Sequence, residues 1–266
     1  MERKTALVTG ASSGIGAELA RVHARHGGDL IVVARRRARL DALKAELESA
    51  QGIAVHVLAK DLTQPDAAQQ IYDELQTQGV PVDYLVNNAG LGHYGLFHEQ
   101  PWAENETLIK LNILALTALT RMFLPQMVGR HHGRMLNIAS MAGFVPGPLQ
   151  AVYYASKAFV ISLSEALANE LAGSGVTVTV FCPGPTETEF TRRPEMKGVR
   201  LLQWEVPART VAEGAYDAML RGKTVVVPGI PSKFVIHGLL RLSPRSLITR
   251  ISRALMEKKQ GPPPPR

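Results

Sequence analysis

Residues 5–16 read TALVTGASSGIG, and the stretch that follows, AELARVHARH, places apolar residues at helical spacing. A short apolar run, a glycine-rich turn and an amphipathic stretch in succession predict a strand, a turn and a helix. Glycine at 10, 14 and 16 lets the backbone approach a ligand closely, and the amides that open the helix point at any anion before them. The candidate contacts are Gly10, Ser12, Ser13, Gly14, Ile15 and Gly16, and a dinucleotide pyrophosphate suits them. The spacing is Gly-x-x-x-Gly-x-Gly rather than the Gly-x-Gly-x-x-Gly of the usual fingerprint.

The pattern repeats along the chain. Further strand-like runs are DLIVVA (29–34), AVHVLA (54–59), DYLVNN (83–88), GRMLNIAS (133–140), VTVTVF (176–181) and TVVVP (224–228). Helical spacing covers Gly14 to His26, Arg37 to Ser49, Pro65 to Gln78, Trp102 to Val128, Tyr153 to Ala172 and Ala208 to Leu220. Strands apolar on both faces and joined by helices predict a doubly wound, Rossmann-type α/β fold: a parallel seven-stranded sheet with helices on both faces. Residues 1–233 read as one such domain, 234–259 as an amphipathic helical extension and 260–266, rich in proline, as a disordered tail. Ligands on such sheets lie beyond the carboxyl ends of the strands.

At the close of the second strand, an acidic residue would hold the ribose 2′-hydroxyl of NAD and a basic one the 2′-phosphate of NADP. Here the run ends in Ala34, Arg35, Arg36 and Arg37. The guanidinium of Arg35, with Arg36 beside it, suits phosphate, so the expected cofactor is NADP. Asp61 and Leu62 close the third run and could bracket an adenine, although an Asp before a helix also serves as a plain cap.

The net charge of +7 does not mark a nucleic-acid binder. Residues 241–266 hold seven Arg or Lys against one Glu, which leaves 23 against 22 for residues 1–240. A local basic tail fits a surface, a membrane or a partner better than a nucleic-acid groove. The single cysteine, Cys182, allows no intramolecular disulfide, and no apolar signal region follows MERK. A cytoplasmic protein is expected. Polar residues and proline interrupt every apolar run before about 20 residues, so no membrane-spanning helix is expected.

Tyr153 and Lys157 stand four apart in YYASKAF, thirteen residues after Ser140. On a helix they share a face, so the ammonium can stabilise a phenolate. A cation about 4 Å away at an effective dielectric near 20 supplies about 4 kcal/mol, enough to bring a tyrosine from about 10 to about 7. Six tyrosines and ten lysines in 266 residues give such a pair by chance about 0.2 times, so its context must carry it.

With TGASSGIG, NNAG (87–90), Asn112, Ser140 and YYASK in order and at matching spacing over about residues 4–230, the chain closely resembles the short-chain dehydrogenase/reductase family. The resemblance implies an active site of Asn112, Ser140, Tyr153 and Lys157 and no metal. Tyr153 would exchange a proton with the substrate oxygen while Ser140 holds that oxygen. Lys157 would lower the tyrosine pKa and bind the nicotinamide ribose, and Asn112 would hold a relay water. Asn88, Ala89 and Gly90 would line the adenine-side ribose. Pro183, Gly184, Thr186 and Thr188 would bind the nicotinamide carboxamide, with Thr186 where the family often has Val or Ile. The family's dimers or tetramers imply a homodimer or homotetramer formed through the helices of Asn112 and Tyr153.

The resemblance also implies a small carbonyl compound or alcohol as the substrate. The loop from Glu189 to Val206 carries Phe190, Met196, Leu201, Leu202 and Trp204, with His93, Tyr94 and 144–148 as a further wall, and favours an apolar substrate. An NADP-type site favours reduction. Alternatives are a membrane-associated 3-ketoacyl or steroid-type reductase and a non-catalytic NADP-binding regulator. Between Arg245 and Lys259, Leu247, Ile248, Ile251, Ala254 and Leu255 fall on one helical face. That face could cover the domain edge, lie on a membrane as a peripheral contact or meet an apolar partner.

Overall fold

All five residues of β1 (Thr5–Thr9) are buried, as are Leu30 to Val33 of β2 (Asp29–Ala34), because both faces of the sheet are covered. The computed structural model describes residues 3–229, Gly238 and 243–258. After β1 come α1 (Gly14–Arg25), β2, α2 (Arg37–Gln51), β3 (Val55–Ala59), α3 (Ala67–Thr77) and β4 (Tyr84–Asn87). One long helix follows, in which α4 (Trp102–Ile109) passes through a π-helical stretch, Lys110–Ala115, into α5 (Leu116–Gly129). Next are β5 (Gly133–Ile138), α6 (Ala151–Glu170), β6 (Val176–Phe181), β7 (Thr186–Glu187), β8 (Val206–Pro207), α7 (Ala208–Leu220), β9 (Val225–Val226) and α8 (Arg245–Met256). The expected segment 234–242 and the tail 260–266 lie outside the described residues, Gly238 excepted.

The main sheet is parallel throughout, in the order β3-β2-β1-β4-β5-β6-β9. Alternate residues feed two cores. Ala6, Val8, Leu30, Val32 and Leu136 meet α1, α2 and α7, while Leu7, Ile31, Val33, Leu85 and Met135 meet α3 and α5. By length and composition alone the helix Trp102–Gly129, with a mean hydropathy of 1.4, is long and apolar enough to cross a membrane. Leu116, Leu119, Phe123 and Met127 are nevertheless buried against the protein, and that demand accounts for the apolar composition. Leu114 and Phe159 stay exposed on the two helices that the resemblance assigns to subunit contacts.

At the amino end of the sheet, His23 is 2% exposed. Its Nδ1 lies 2.8 Å from the Tyr216 hydroxyl and its Nε2 2.9 Å from the Lys4 carbonyl oxygen. A carbonyl can only accept, so Nε2 carries the hydrogen and Nδ1 accepts from Tyr216. Burial holds the imidazole below its usual range. The unfolded chain takes up a proton near pH 6.5 that the folded chain resists, so stability is full above that pH and falls below it. We expect the unfolding free energy from urea titration to drop between pH 7.5 and 5.5, by up to about 1.4 kcal/mol per pH unit, with a shallower slope in His23→Asn; a parallel slope would assign the loss to other groups.

Candidate active site

The sheet order reverses between β1 and β4, and a cavity of about 630 Å³ lies across the carboxyl ends of the strands there. Gly10 enters the first turn with φ +67°, and a Cβ on it would stand 2.8 Å from Asn88 Nδ2 and 2.9 Å from Ala89 Cα. At Gly16 the same atom would collide with the Gly10 carbonyl oxygen. Both positions therefore exclude side chains so that loop, helix and β4 can meet. Ile15 lines the cavity behind Gly14, whose own Cβ would touch Thr188. Asn88 stitches the meeting point, donating from Nδ2 to the Thr9 carbonyl at 2.9 Å, while the Asn88 and Ala89 amides both donate to Thr9 Oγ1 at 3.0 Å.

Arg35 lines the cavity, and no hydrogen bond or ion pair engages it among the described residues. Arg36 is held. Its Nη2 donates to Ser12 Oγ at 3.0 Å and to Ser13 Oγ at 2.9 Å, and its Nη1 to Glu189 Oε1 at 3.0 Å. Sequence reasoning placed Glu189 only as the start of a variable loop, because nothing local links residue 189 to residue 36. Asp61 accepts from the amide and hydroxyl of Thr63 at 3.0 and 2.8 Å, so it caps its own turn while it and Leu62 line the cavity wall.

Across the cavity, α6 presents Tyr153 and Lys157 on one face, with Lys157 Nζ 5.8 Å from the Tyr153 ring centre. Ser140 closes the loop after β5, where its Oγ accepts from the Ala142 amide at 3.1 Å and donates to the Pro183 carbonyl at 3.5 Å. Gly184 packs near Met141, Thr186 donates to the Gly184 carbonyl at 3.0 Å, and Thr188 closes the far side. Ser140, Tyr153 and Lys157 thus line one stretch of the same cavity, the last two brought to one side by their i,i+4 spacing.

The expected lowering of the Tyr153 pKa toward 7 is not found. Burial pushes the phenol up to about 12, opposed by the Ser140 hydroxyl, and Lys157 is no counterweight. The ammonium instead donates to the Ile138 carbonyl at 2.9 Å, and burial pushes it down to about 8. Spacing along a helix supplies the Coulombic attraction but not the cost of taking both groups out of water.

Asn112 lies in the π-helical stretch, a local widening that recurs at functional sites. Its Oδ1 accepts from the Leu91 amide at 2.8 Å, and its Nδ2 donates to the Leu91 carbonyl at 2.9 Å and to Ser156 Oγ at 3.0 Å. Both amide hydrogens are committed, so a relay water could be held only by an acceptor of Asn112. A Cβ on Gly90 would lie 3.4 Å from Asn112 Oδ1 and 3.5 Å from Lys157 Nζ, which places the three side by side.

Beyond Tyr153 the cavity turns apolar. Phe190 stacks on the Tyr153 ring at 5.4 Å, and Val145, Met196, Leu201 and Leu202 line the wall. Trp204 is 57% exposed and His93 pairs with Glu104 at 3.1 Å; neither lines the cavity as expected. The remaining wall is α8, whose buried residues are Ile248, Ser252 and Met256, tied down by a 2.9 Å bond from the Tyr94 hydroxyl to the Met256 carbonyl. Of the expected apolar face, Ile248, Ile251 and Leu255 line the cavity, while Leu247 and Ala254 stay exposed and do not. Sequence reasoning also missed Gln150, which is 4% exposed on this wall; a polar residue before a helix carries no mark of burial.

A glycine turn over a cationic end, with a serine, a tyrosine and a lysine at the other, is matched by comparison. The short chain dehydrogenase family profile covers residues 4–197. The chain belongs to the short-chain dehydrogenase/reductase family. As a member, it is an oxidoreductase of a family that binds NAD(P). This short-chain dehydrogenase/reductase is 36% identical over 196 residues to a short chain dehydrogenase of Pseudocercospora fijiensis, covering 71% of this chain and 62% of that protein. It is 33% identical over 225 residues to the ketoacyl reductase HetN of a Nostoc species, covering 84% and 78%. Among solved structures, a short-chain dehydrogenase from Sphingobium yanoikuyae in complex with NADPH shares 34% identity with a TM-score of 0.79, covering 91% of this chain and 97% of that one.

Proposed function

We propose that the protein reduces a ketone or aldehyde on an apolar body, with NADPH as the reductant. The observation that carries this reading is the cavity itself: arginines and serines at one end, Tyr153, Ser140 and Lys157 in the middle, and an apolar wall built from α8 and the 190–202 loop at the other. An elongated ligand with anionic groups at one end fits that donor set, and the NADPH bound by the Sphingobium relative is such a ligand. Arg35 and the Ser12–Ser13 turn would hold its phosphates. Bound NADPH would supply a hydride to the carbonyl carbon.

The chain's own residues do the rest. Ser140 holds the substrate oxygen by a hydrogen bond, which strengthens as negative charge develops there. Tyr153 gives that oxygen its phenolic proton, and at about 12 it stays protonated through the working pH range. Lys157 stabilises the phenolate formed at that moment. Asn112 positions Leu91 and, with it, the Gly90 backbone against Lys157. The apolar lining suits an acyl chain as readily as a ring system, and the name of the Nostoc relative, a ketoacyl reductase, favours the former.

The test is consumption of NADPH and of NADH over a panel of aldehydes, ketoacyl thioesters, quinones and steroids. We expect apolar carbonyls to be reduced, with a kcat/KM for NADPH at least about tenfold above that for NADH, a preference that Arg35→Ala reduces. Binding of NADH at least as tight as that of NADPH would overturn the cofactor assignment.

A further inference from the structure

Three chain segments that are far apart in sequence meet at one carboxylate. Glu189, two residues beyond β7, lies 2.9 Å from Arg36 Nη2 and 3.3 Å from Arg39 Nη1, and accepts from Ser13 Oγ at 3.1 Å. Arg36 in turn reaches both serines of the glycine turn. An acid thus fills the arginine and hydroxyl site at the cationic end of the cavity, and the reaction proposed above gives it no role.

We propose that Glu189 is a cofactor-selectivity gate: its carboxylate occupies the Arg36 site in the free chain, and a ligand bearing a 2′-phosphate displaces it where one bearing a 2′-hydroxyl does not. The inference rests on the NADP reading. Charge gives the direction, because a phosphate monoester carries about −1.5 to −2 at neutral pH against −1 for a carboxylate, and offers three acceptor oxygens against two. The Glu189 and Arg36 side chains are 48% and 42% exposed, so the pair is weak enough to exchange.

Displacement has a second consequence along the chain. Phe190, the next residue, stacks on the ring of Tyr153, and Arg193 lies 5.7 Å over Phe190 while donating to the Gly92 carbonyl at 2.9 Å. The segment that carries the gate therefore leans on the proton donor. Release of Glu189 at the cofactor end loosens the packing at the chemistry end, so the site opens to substrate once the right cofactor is seated.

The gate is tested by binding rather than turnover. Titration calorimetry with adenosine 2′,5′-bisphosphate and with adenosine 5′-monophosphate compares the wild type with Glu189→Gln, a change of charge without a change of shape. Removing the competitor should tighten the bisphosphate about fivefold and leave the monophosphate within about twofold. In a Trp102→Phe background, the emission of Trp204, on the same loop, should shift when the bisphosphate binds, and Glu189→Gln should begin near the shifted value. Equal tightening of both nucleotides, no change in either, or a weaker bisphosphate complex would overturn the gate. If the wild type bound the two nucleotides equally, the NADP reading would fail first and the gate with it.

Discussion

Tyr153→Phe should lower the turnover of carbonyl reduction by about 10²–10⁴-fold while NADPH binds within about twofold of the wild type. The substitution removes one oxygen and keeps the ring, which stacks on Phe190 at 5.4 Å and meets Tyr154 edge-on at 6.1 Å, so the cavity wall should persist. What is lost is the proton. Ser140 remains, and its hydroxyl still polarises the oxygen, but that hydroxyl already donates toward the Pro183 carbonyl and has no ammonium behind it. Ser140→Ala in the same assay should cost less in proton delivery and more in binding of the developing alkoxide, so the two variants together should be far from additive. Single-turnover rates at saturating NADPH separate the effects. Full turnover in Tyr153→Phe would remove the phenol from the mechanism.

Legibility in the sequence followed the range of the interaction. The strand runs and the glycine turn are local patterns, and their consequence, a parallel sheet with a cavity at its switch point, is what the structure shows. Tyr153 and Lys157 could be paired because a helix turns i and i+4 to one side. The face of α8 was legible in part: Ile248, Ile251 and Leu255 line the cavity from one side of the helix, whereas burial also takes in the polar Ser252, which no count of apolar residues marks. Glu189 was invisible because its partners, Arg36, Arg39 and Ser13, stand more than a hundred residues away and its local setting is that of any loop acid. Desolvation is likewise a property of the assembled fold, so the spacing that revealed the Tyr153 and Lys157 pair could not reveal that both are pushed toward their neutral forms.

That shared push makes Lys157 the more informative target. Burial lowers its ammonium to about 8, and loss of the proton above that pH removes the charge that steadies the phenolate. For reduction, kcat/KM should be full below about pH 8 and fall above it, because the protonated form is the useful one; Tyr153, at about 12, is still protonated there and cannot cause the fall. At the observed 5.8 Å and an effective dielectric near 20, the cation contributes about 3 kcal/mol to a charge on the ring, so Lys157→Met should lower kcat/KM about a hundredfold at pH 7. The ammonium loses its proton near pH 8, before the phenol titrates near 12, so its attraction does not appear in the tyrosine pKa, yet below pH 8 it is present as the phenolate forms. Lys157→Arg provides the control. Its guanidinium keeps its proton throughout, so the alkaline fall should vanish, although the overall rate should drop because the fork is too broad for the site between Ile138 and Gly90. An alkaline fall that persisted unchanged in Lys157→Arg would assign the titration to another group and leave Lys157 only its part in binding the ribose.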